Sequence, residues 1–167
     1  MSSTNGDHTP PEPFVTPATG GRVLRSMGAL LIVKADAAST GGAFALVDLR
    51  AAPGYETPLH VHRREDEHFY VLDGEMECVH GDGETLTAGP HDTVFLPRDV
   101  PHGFRVVSDG PLRILATVTP AGLEAFFVDV GEEAETLDLP APADPDVAAV
   151  ATAAAAYDLE ILGPLPG

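Results

Sequence analysis

Between Val23 and Thr119 the chain is a succession of short apolar or alternating runs, punctuated by Gly, Pro and Asp. The runs are Leu30 to Lys34, Ala43 to Arg50, Leu59 to His62, Glu67 to Val79, Glu84 to Leu86, Thr93 to Leu96, Gly103 to Val107 and Leu112 to Thr119. Residues two apart in a strand point the same way, so each run offers one face to a core and the other to water. With Asp82-Gly83 and Asp109-Gly110 as hairpin signals, this spacing predicts an all-β fold, an antiparallel sandwich or small barrel.

After Pro120 the period changes: Leu123, Phe126, Phe127 and Val130 lie at helical spacing, and Gly131 is a stop signal. A short helix packed on the barrel is expected there. A Pro- and acid-rich linker over 132–143 leads to a second helix, with Asp144 as cap, Pro145 in the first turn and an Ala-rich body from Ala148 to Ala156. At 167 residues the chain has room for one domain, since two cores need about 100 residues each. The expected organisation is a flexible N-terminal arm over 1–21, rich in Ser, Thr, Pro and Gly, then a barrel with its packed helix over 22–131, then the acidic linker with its helix and tail over 132–167.

Nine Lys and Arg against 26 Asp and Glu give a net charge of -17, and no basic residue follows Arg113. Such a surface repels phosphate backbones and anionic lipid headgroups, which excludes nucleic acid and membrane surfaces as expected partners. No apolar stretch approaches the roughly 20 residues that a membrane helix needs. The first 21 residues carry neither a basic n-region nor an apolar h-region, so a cytoplasmic location is expected. Cys78, the single cysteine, reads as a small buried hydrophobe.

Chemistry concentrates in the segment from Gly54 to Gly74. On a strand, His60 and His62 present two imidazoles to one side of the sheet, a spacing at which two ligands chelate one ion. After the turn Arg63 to Asp66, Glu67 opens the next strand and brings a carboxylate toward the pair. His102 follows the turn-like Pro97 to Pro101 and offers a third imidazole.

These residues resemble the two motifs of the cupin superfamily. The first motif is matched at Gly54, His60, His62, Glu67 and Gly74. The second is matched at Pro97 and His102, but Asp99 and His91 stand where glycine is usual and Val106 where asparagine is usual. The string from His62 to Glu75, the segment Thr119 to Phe127 and the closing run Tyr157 to Pro164 are similar to single-domain cupins related to bacterial quercetinases, the flavonol dioxygenases. The resemblance implies a jelly-roll β-barrel with short C-terminal helices and a homodimer. It also implies a divalent transition metal (Fe, Mn, Co, Ni, Cu or Zn) held by His60, His62, Glu67 and His102.

Glu65 and Asp66 are alternative carboxylates, and the six-residue interval to Gly74 favours Glu67. His80-Gly81-Asp82 has the form of a facial triad with His102 as its distal ligand, but Gly81-Asp82-Gly83 lies between two strand-like runs and is better explained as a hairpin turn. Phe69 and Val71 should share the face of Glu67, and Phe104 that of His102, so these three are candidate walls of a substrate pocket. The resemblance therefore implies a metal-dependent dioxygenase acting on a small enolic or aromatic substrate together with dioxygen, with Glu67 as both ligand and general base. The alternatives are a redox-neutral metal-dependent isomerase, cyclase or decarboxylase, and a binding module without turnover.

Overall fold

A computed structural model describes residues 10–140 and 146–167. The proposed cap and first-turn residues Asp144 and Pro145 and the first nine residues of the arm lie outside these. Twelve strands and three helices are present among the described residues: β1 (Arg22–Ser26), β2 (Ala29–Ala35), α1 (Ala37–Thr40), β3 (Ala45–Ala51), β4 (Leu59–His62), β5 (Asp66–Asp73), β6 (Met76–His80), β7 (Glu84–Ala88), β8 (Thr93–Leu96), β9 (His102–Val106), β10 (Leu112–Thr119), α2 (Leu123–Val130), β11 (Glu132–Glu133), α3 (Val147–Ala154) and β12 (Leu159–Gly163). A single 3-10 turn, Ala155–Tyr157, joins α3 to β12. The strands form a seven-stranded sheet, β11-β1-β2-β3-β10-β5-β8, facing a five-stranded sheet, β12-β4-β9-β6-β7. This is the antiparallel barrel that the alternating runs predicted and the jelly roll that the resemblance implied, with every pairing between these strands antiparallel.

Alternation decides which side chains fill it. On β10, Leu112, Ile114, Ala116 and Val118 are buried, and the neighbouring β3 turns Ala45, Val47, Leu49 and Ala51 to the same side. With Phe69 and Val71 from β5 and Met76, Cys78, Phe104 and Val106 from the other sheet, all of these but Ala45 and Val118 build one core. Gly74 divides the run Glu67 to Val79 into β5 and β6: its φ is 77°, and a Cβ there would sit 2.6 Å from the Pro111 carbonyl oxygen. That position admits glycine for two independent reasons, conformation and space.

The helix after Pro120 forms as its period predicts. Leu123 and Phe126 of α2 are buried in a second cluster with Val118, Val150, Ala154 and Leu159. Glu124 ties α2 to its surroundings, accepting from Ala37 N at 2.7 Å and Gly122 N at 2.7 Å. The second helix is capped by Asp146, which accepts from Ala149 N. Part of the stretch expected as a linker is a strand: β11 pairs Glu132 and Glu133 with Arg25 and Leu24 of β1, and Arg22 meets Glu133 at 2.7 Å.

On the outer face of the larger sheet Asp48 is wholly buried between two arginines. Arg50 donates to both its oxygens at 3.2 and 3.0 Å, and Arg113 at 3.1 and 2.7 Å. Burial raises the Asp48 carboxyl, but the hydrogen bonds from Arg113 and Arg50 outweigh this and hold it below the usual value. Its stabilisation is therefore full above the unfolded value, about 3.9, and is lost as pH falls through the lower folded one. Asp48→Asn should cost about 1–2 kcal/mol near neutral pH, the outer arginine being screened by solvent. Denaturant midpoints followed against pH should show the gap between wild type and variant narrowing below about pH 4. A gap that widens in acid would contradict this role.

Candidate metal centre

Three of the four candidate ligands come from one sheet and the fourth from the other. His60 and His62 leave β4 on the same side, and His60 stands directly opposite His102 of β9. Glu67, second residue of β5, reaches across from the facing sheet. One ligand atom from each of His60, His62, Glu67 and His102 lies within 4.8 Å of the others. Glu67 Oε2 is 3.2 Å from His102 Nε2 and 3.6 Å from His62 Nε2. The ring centroids of His60 and His102 are 4.6 Å apart, and those of His60 and His62 are 5.0 Å apart.

Backbone carbonyls set the tautomers. His60 Nδ1 donates to the Pro58 carbonyl at 2.8 Å and His102 Nδ1 to the Val100 carbonyl at 2.9 Å. A carbonyl accepts only from N–H, so both rings carry a proton on Nδ1; this leaves His60 Nε2 as a lone pair, whereas His102 Nε2 makes a second hydrogen bond, to Glu67 Oε2 at 3.2 Å, and is a donor there. His62 is 2% exposed, and both its nitrogens lack hydrogen-bond partners.

Burial pushes His60 down to about 3, with His102 and His62 adding to the effect. His62 is also lowered, chiefly by burial. Burial would lower His102 too, yet the hydrogen bond and charge of Glu67 carry it above its ordinary value. Burial raises Glu67, but His62, His102 and His60 outweigh that and hold it at about 2. The site therefore keeps the Glu67 carboxylate ionised among the imidazoles, with the proton on His102 Nε2 the one that an incoming ion would displace.

This donor set fits a transition metal. Ligand atoms about 2.0–2.2 Å from an ion lie at most about 4.4 Å apart, so the observed spread needs only a small contraction. The orphaned Nε2 of His62 is the kind of buried polar atom that an ion would satisfy.

The other candidates fall as follows. Asp66 turns outward, its carboxylate gripping Arg98 at 3.0 and 2.8 Å. Glu65 is buried, with its carboxylate on the Nδ1 side of His62 and outside the four-residue cluster. Gly81 to Gly83 form the turn between β6 and β7, and His80 pairs across from His102 without joining the cluster. The motif departures keep their backbone geometry. Asp99 and His91 have φ of 65° and 74°, the left-handed conformation that glycine usually supplies and that Asp and His tolerate. Asp99 N also donates to the His62 carbonyl at 2.8 Å, hanging the turn before His102 on the ligand strand.

Beside the four ligands lies a mostly apolar cavity of about 70 Å³. Phe69 and Phe104 are among the residues that line it, and Val71 is not. Val71 shares their face but sits two residues further along β5, about 6.6 Å deeper, and is wholly buried in the core. The alternating pattern left out Tyr55, which lines the cavity from the loop before β4, and the walls from α2 (Leu123, Phe126, Phe127) and β12 (Leu159, Ile161). Helical periodicity marked Phe126 and Phe127 as packed residues, but nothing in it showed that they roof a pocket. Burial pushes the Tyr55 phenol up, so it stays a neutral donor. No helix among the described residues is long and apolar enough to cross a membrane.

Residues 47–118 match the family model described as Cupin domain. Over 132 residues the chain is 30% identical to quercetin 2,3-dioxygenase of Bacillus subtilis (strain 168), an alignment covering 78% of this chain and 39% of that protein. The chain thus spans about two fifths of that relative's length. Over 107 residues it is 29% identical to polyketide synthase CurC of Streptomyces cyaneus, covering 64% of this chain and 68% of that one. Among solved structures, the polyketide cyclase RemF from Streptomyces resistomycificus superposes with a TM-score of 0.50 at 26% identity, over 64% of this chain and 72% of that one.

Protein offered Fe, Mn, Co, Ni, Cu and Zn in turn should retain about one ion per chain by elemental analysis, and His62→Ala or His102→Ala should lose most of it. At a free concentration 100 times its Kd the retained metal should stabilise the fold by about 2.7 kcal/mol, read as a rise in Tm. Trace metal throughout, with no shift in Tm, would reject the centre.

Proposed function

Because residues 47–118 are a cupin domain in a chain that resembles the quercetinase-like cupins, we propose that it is a metal-dependent dioxygenase acting on a small enolic or aromatic, flavonol-like substrate. The observation that carries this reading is the ionised Glu67 carboxylate held among three imidazoles beside an aromatic-walled cavity. A transition metal held by His60, His62, His102 and Glu67 would supply a Lewis-acid centre that makes a substrate hydroxyl more acidic.

Glu67 Oε2 is the proton acceptor. It lies 3.2 Å from His102 Nε2 and 3.6 Å from His62 Nε2, in a site where no other carboxylate joins the cluster. The rings of Tyr55, Phe69, Phe104, Phe126 and Phe127 offer flat surfaces for an aromatic substrate and exclude water from its enolate. Carbon–oxygen bond formation would follow with dioxygen as the two-electron oxidant: the enolate carbon supplies the electron pair of the new C–O bond, the O–O π bond gives way, and the substrate leaves the step as a carbon-bound peroxide anion with its carbonyl restored. At about 70 Å³ the cavity is smaller than the roughly 300–1,000 Å³ of ordinary ligand sites, so a multi-ring substrate enters by displacing wall side chains from α2 and β12.

A redox-neutral cyclisation is the second reading, favoured by one observation. The two polyketide-pathway relatives are matched over 68% and 72% of their own lengths, against 39% for the quercetin dioxygenase. Both readings begin with Glu67 removing a proton from an enol or an acidic C–H, and they part at dioxygen. Flavonols and polyphenolic polyketides incubated with metal-loaded protein under air and under nitrogen separate them: oxygen uptake supports the first, product under nitrogen the second.

Glu67→Gln keeps the side-chain shape and an oxygen donor while removing the base. Turnover at saturating metal should fall at least about 100-fold on whichever substrate is accepted. Undiminished turnover by the metal-loaded variant would remove Glu67 from the proton transfer.

A further inference from the structure

The three imidazoles of the centre differ in how their far nitrogens are satisfied. At His60 and His102 a backbone carbonyl takes the Nδ1 proton at 2.8 and 2.9 Å. At His62 no carbonyl does, although the residue is only 2% exposed. What faces its Nδ1, at 3.9 Å, is Oε2 of Glu65, an atom that is itself buried without a hydrogen-bond partner.

Glu65 is an unusual tenant of its turn. Arg63 is committed at the surface to Asp99 and Glu160, Arg64 reaches toward Asp158, and Asp66 holds Arg98. Only Glu65, at 2% exposure, turns inward. A carboxyl buried with an oxygen that has no hydrogen-bond partner opposes folding unless it acquires one. Two orphaned groups facing one another are each other's natural partner.

We propose that Glu65 is the positioning residue of His62: its carboxylate accepts the Nδ1–H bond that backbone carbonyls accept at His60 and His102, fixing the tautomer that turns His62 Nε2 toward the metal. The inference rests on the metal-centre reading above. The present 3.9 Å is too long for a hydrogen bond, and a modest rotation of either side chain closes it. An anionic acceptor makes this imidazole a stronger donor than its two neighbours. The centre is thereby built from two carboxylates with separate duties, Glu67 among the ligands and Glu65 behind one of them.

The test uses zinc, a diamagnetic probe, with the full chain as wild type, Glu65→Gln and Glu65→Leu. In zinc-loaded, 15N-labelled wild type the His62 Nδ1–H should appear as a downfield, exchange-protected imidazole signal, assigned by its loss in His62→Ala. Glu65→Leu fills the space without an acceptor: that signal should vanish, and zinc affinity by chelator competition should fall about 10- to 100-fold. Glu65→Gln keeps a neutral carbonyl acceptor, so the signal should survive, shifted upfield, with a smaller loss of affinity. If Glu65→Leu does not fold, the upfield shift in Glu65→Gln decides alone. Unchanged affinity and an unmoved signal in the folded variants would overturn the role of Glu65 and leave the metal centre standing. A wild type that takes up no zinc would overturn both.

Discussion

A carboxylate and three imidazoles gathered inside an apolar barrel are the constraint on which this structure turns. Each costs free energy when withdrawn from water, and the cost is offset only where partners replace the lost hydration. Here the offset is incomplete: both nitrogens of His62 and one oxygen of Glu65 are left over. The surplus comes from the core beneath. Two sheets interleave Leu31, Val47, Phe69, Phe104, Ile114 and Ala116 against one another, and burial of that kind contributes about 25 cal/mol per Å² of apolar surface. The barrel can carry an unsatisfied centre at one end because the interior beneath it is packed with apolar side chains.

The backbone spends its irregular positions around the same centre. Gly74 ends the strand that delivers Glu67, Asp99 bends the turn that delivers His102, and the Thr57 hydroxyl accepts from Phe104 N beside it. At Gly103 a Cβ would come within 2.6 Å of Leu165 Cδ1 and 2.9 Å of the Pro58 carbonyl oxygen, so even the residue following a ligand is fixed by close packing. Ligand geometry is thus held by turns and glycines as much as by the ligands' own strands.

Much of this was legible in the chain. A His-x-His pair on a strand needs only the period of two to be read as a chelate, and β4 presents it so. The strands with clean alternation, β3, β5 and β10, were visible because one face of each is core. β1, β11 and β12 were not. β11 is two exposed glutamates, and β1 carries arginine at two of its five positions, so their pairing is a matter of backbone hydrogen bonds that leave no apolar pattern. Glu65 was visible only as a rival ligand. Whether a turn residue points out, like Arg63, or in, like Glu65, depends on turn dihedrals that side-chain identity does not encode. Val71 shows the opposite limit, since a shared face does not mean a shared depth.

The division of labour along the chain has a consequence for how such a protein acquires a particular reaction. All four ligands, Glu65, Tyr55, Phe69 and Phe104 lie within residues 47–118, the stretch that matches the Cupin domain. Met27, Leu123, Phe126, Phe127, Leu159 and Ile161, which close the cavity, all lie outside it. On the proposed reading, proton removal belongs to the ligand strands, and the shape of what is admitted belongs to the first hairpin, α2 and β12. Changes in α2 resize the cavity without touching a ligand strand, whereas β12 pairs with β4, Leu159 opposite His62 and Ile161 opposite His60. On the proposed reading, whether the deprotonated substrate meets dioxygen or a carbonyl of its own would be decided by what the roof lets lie beside it. One four-residue centre is compatible with either chemistry, and in this chain most of the apolar roof comes from residues outside 47–118.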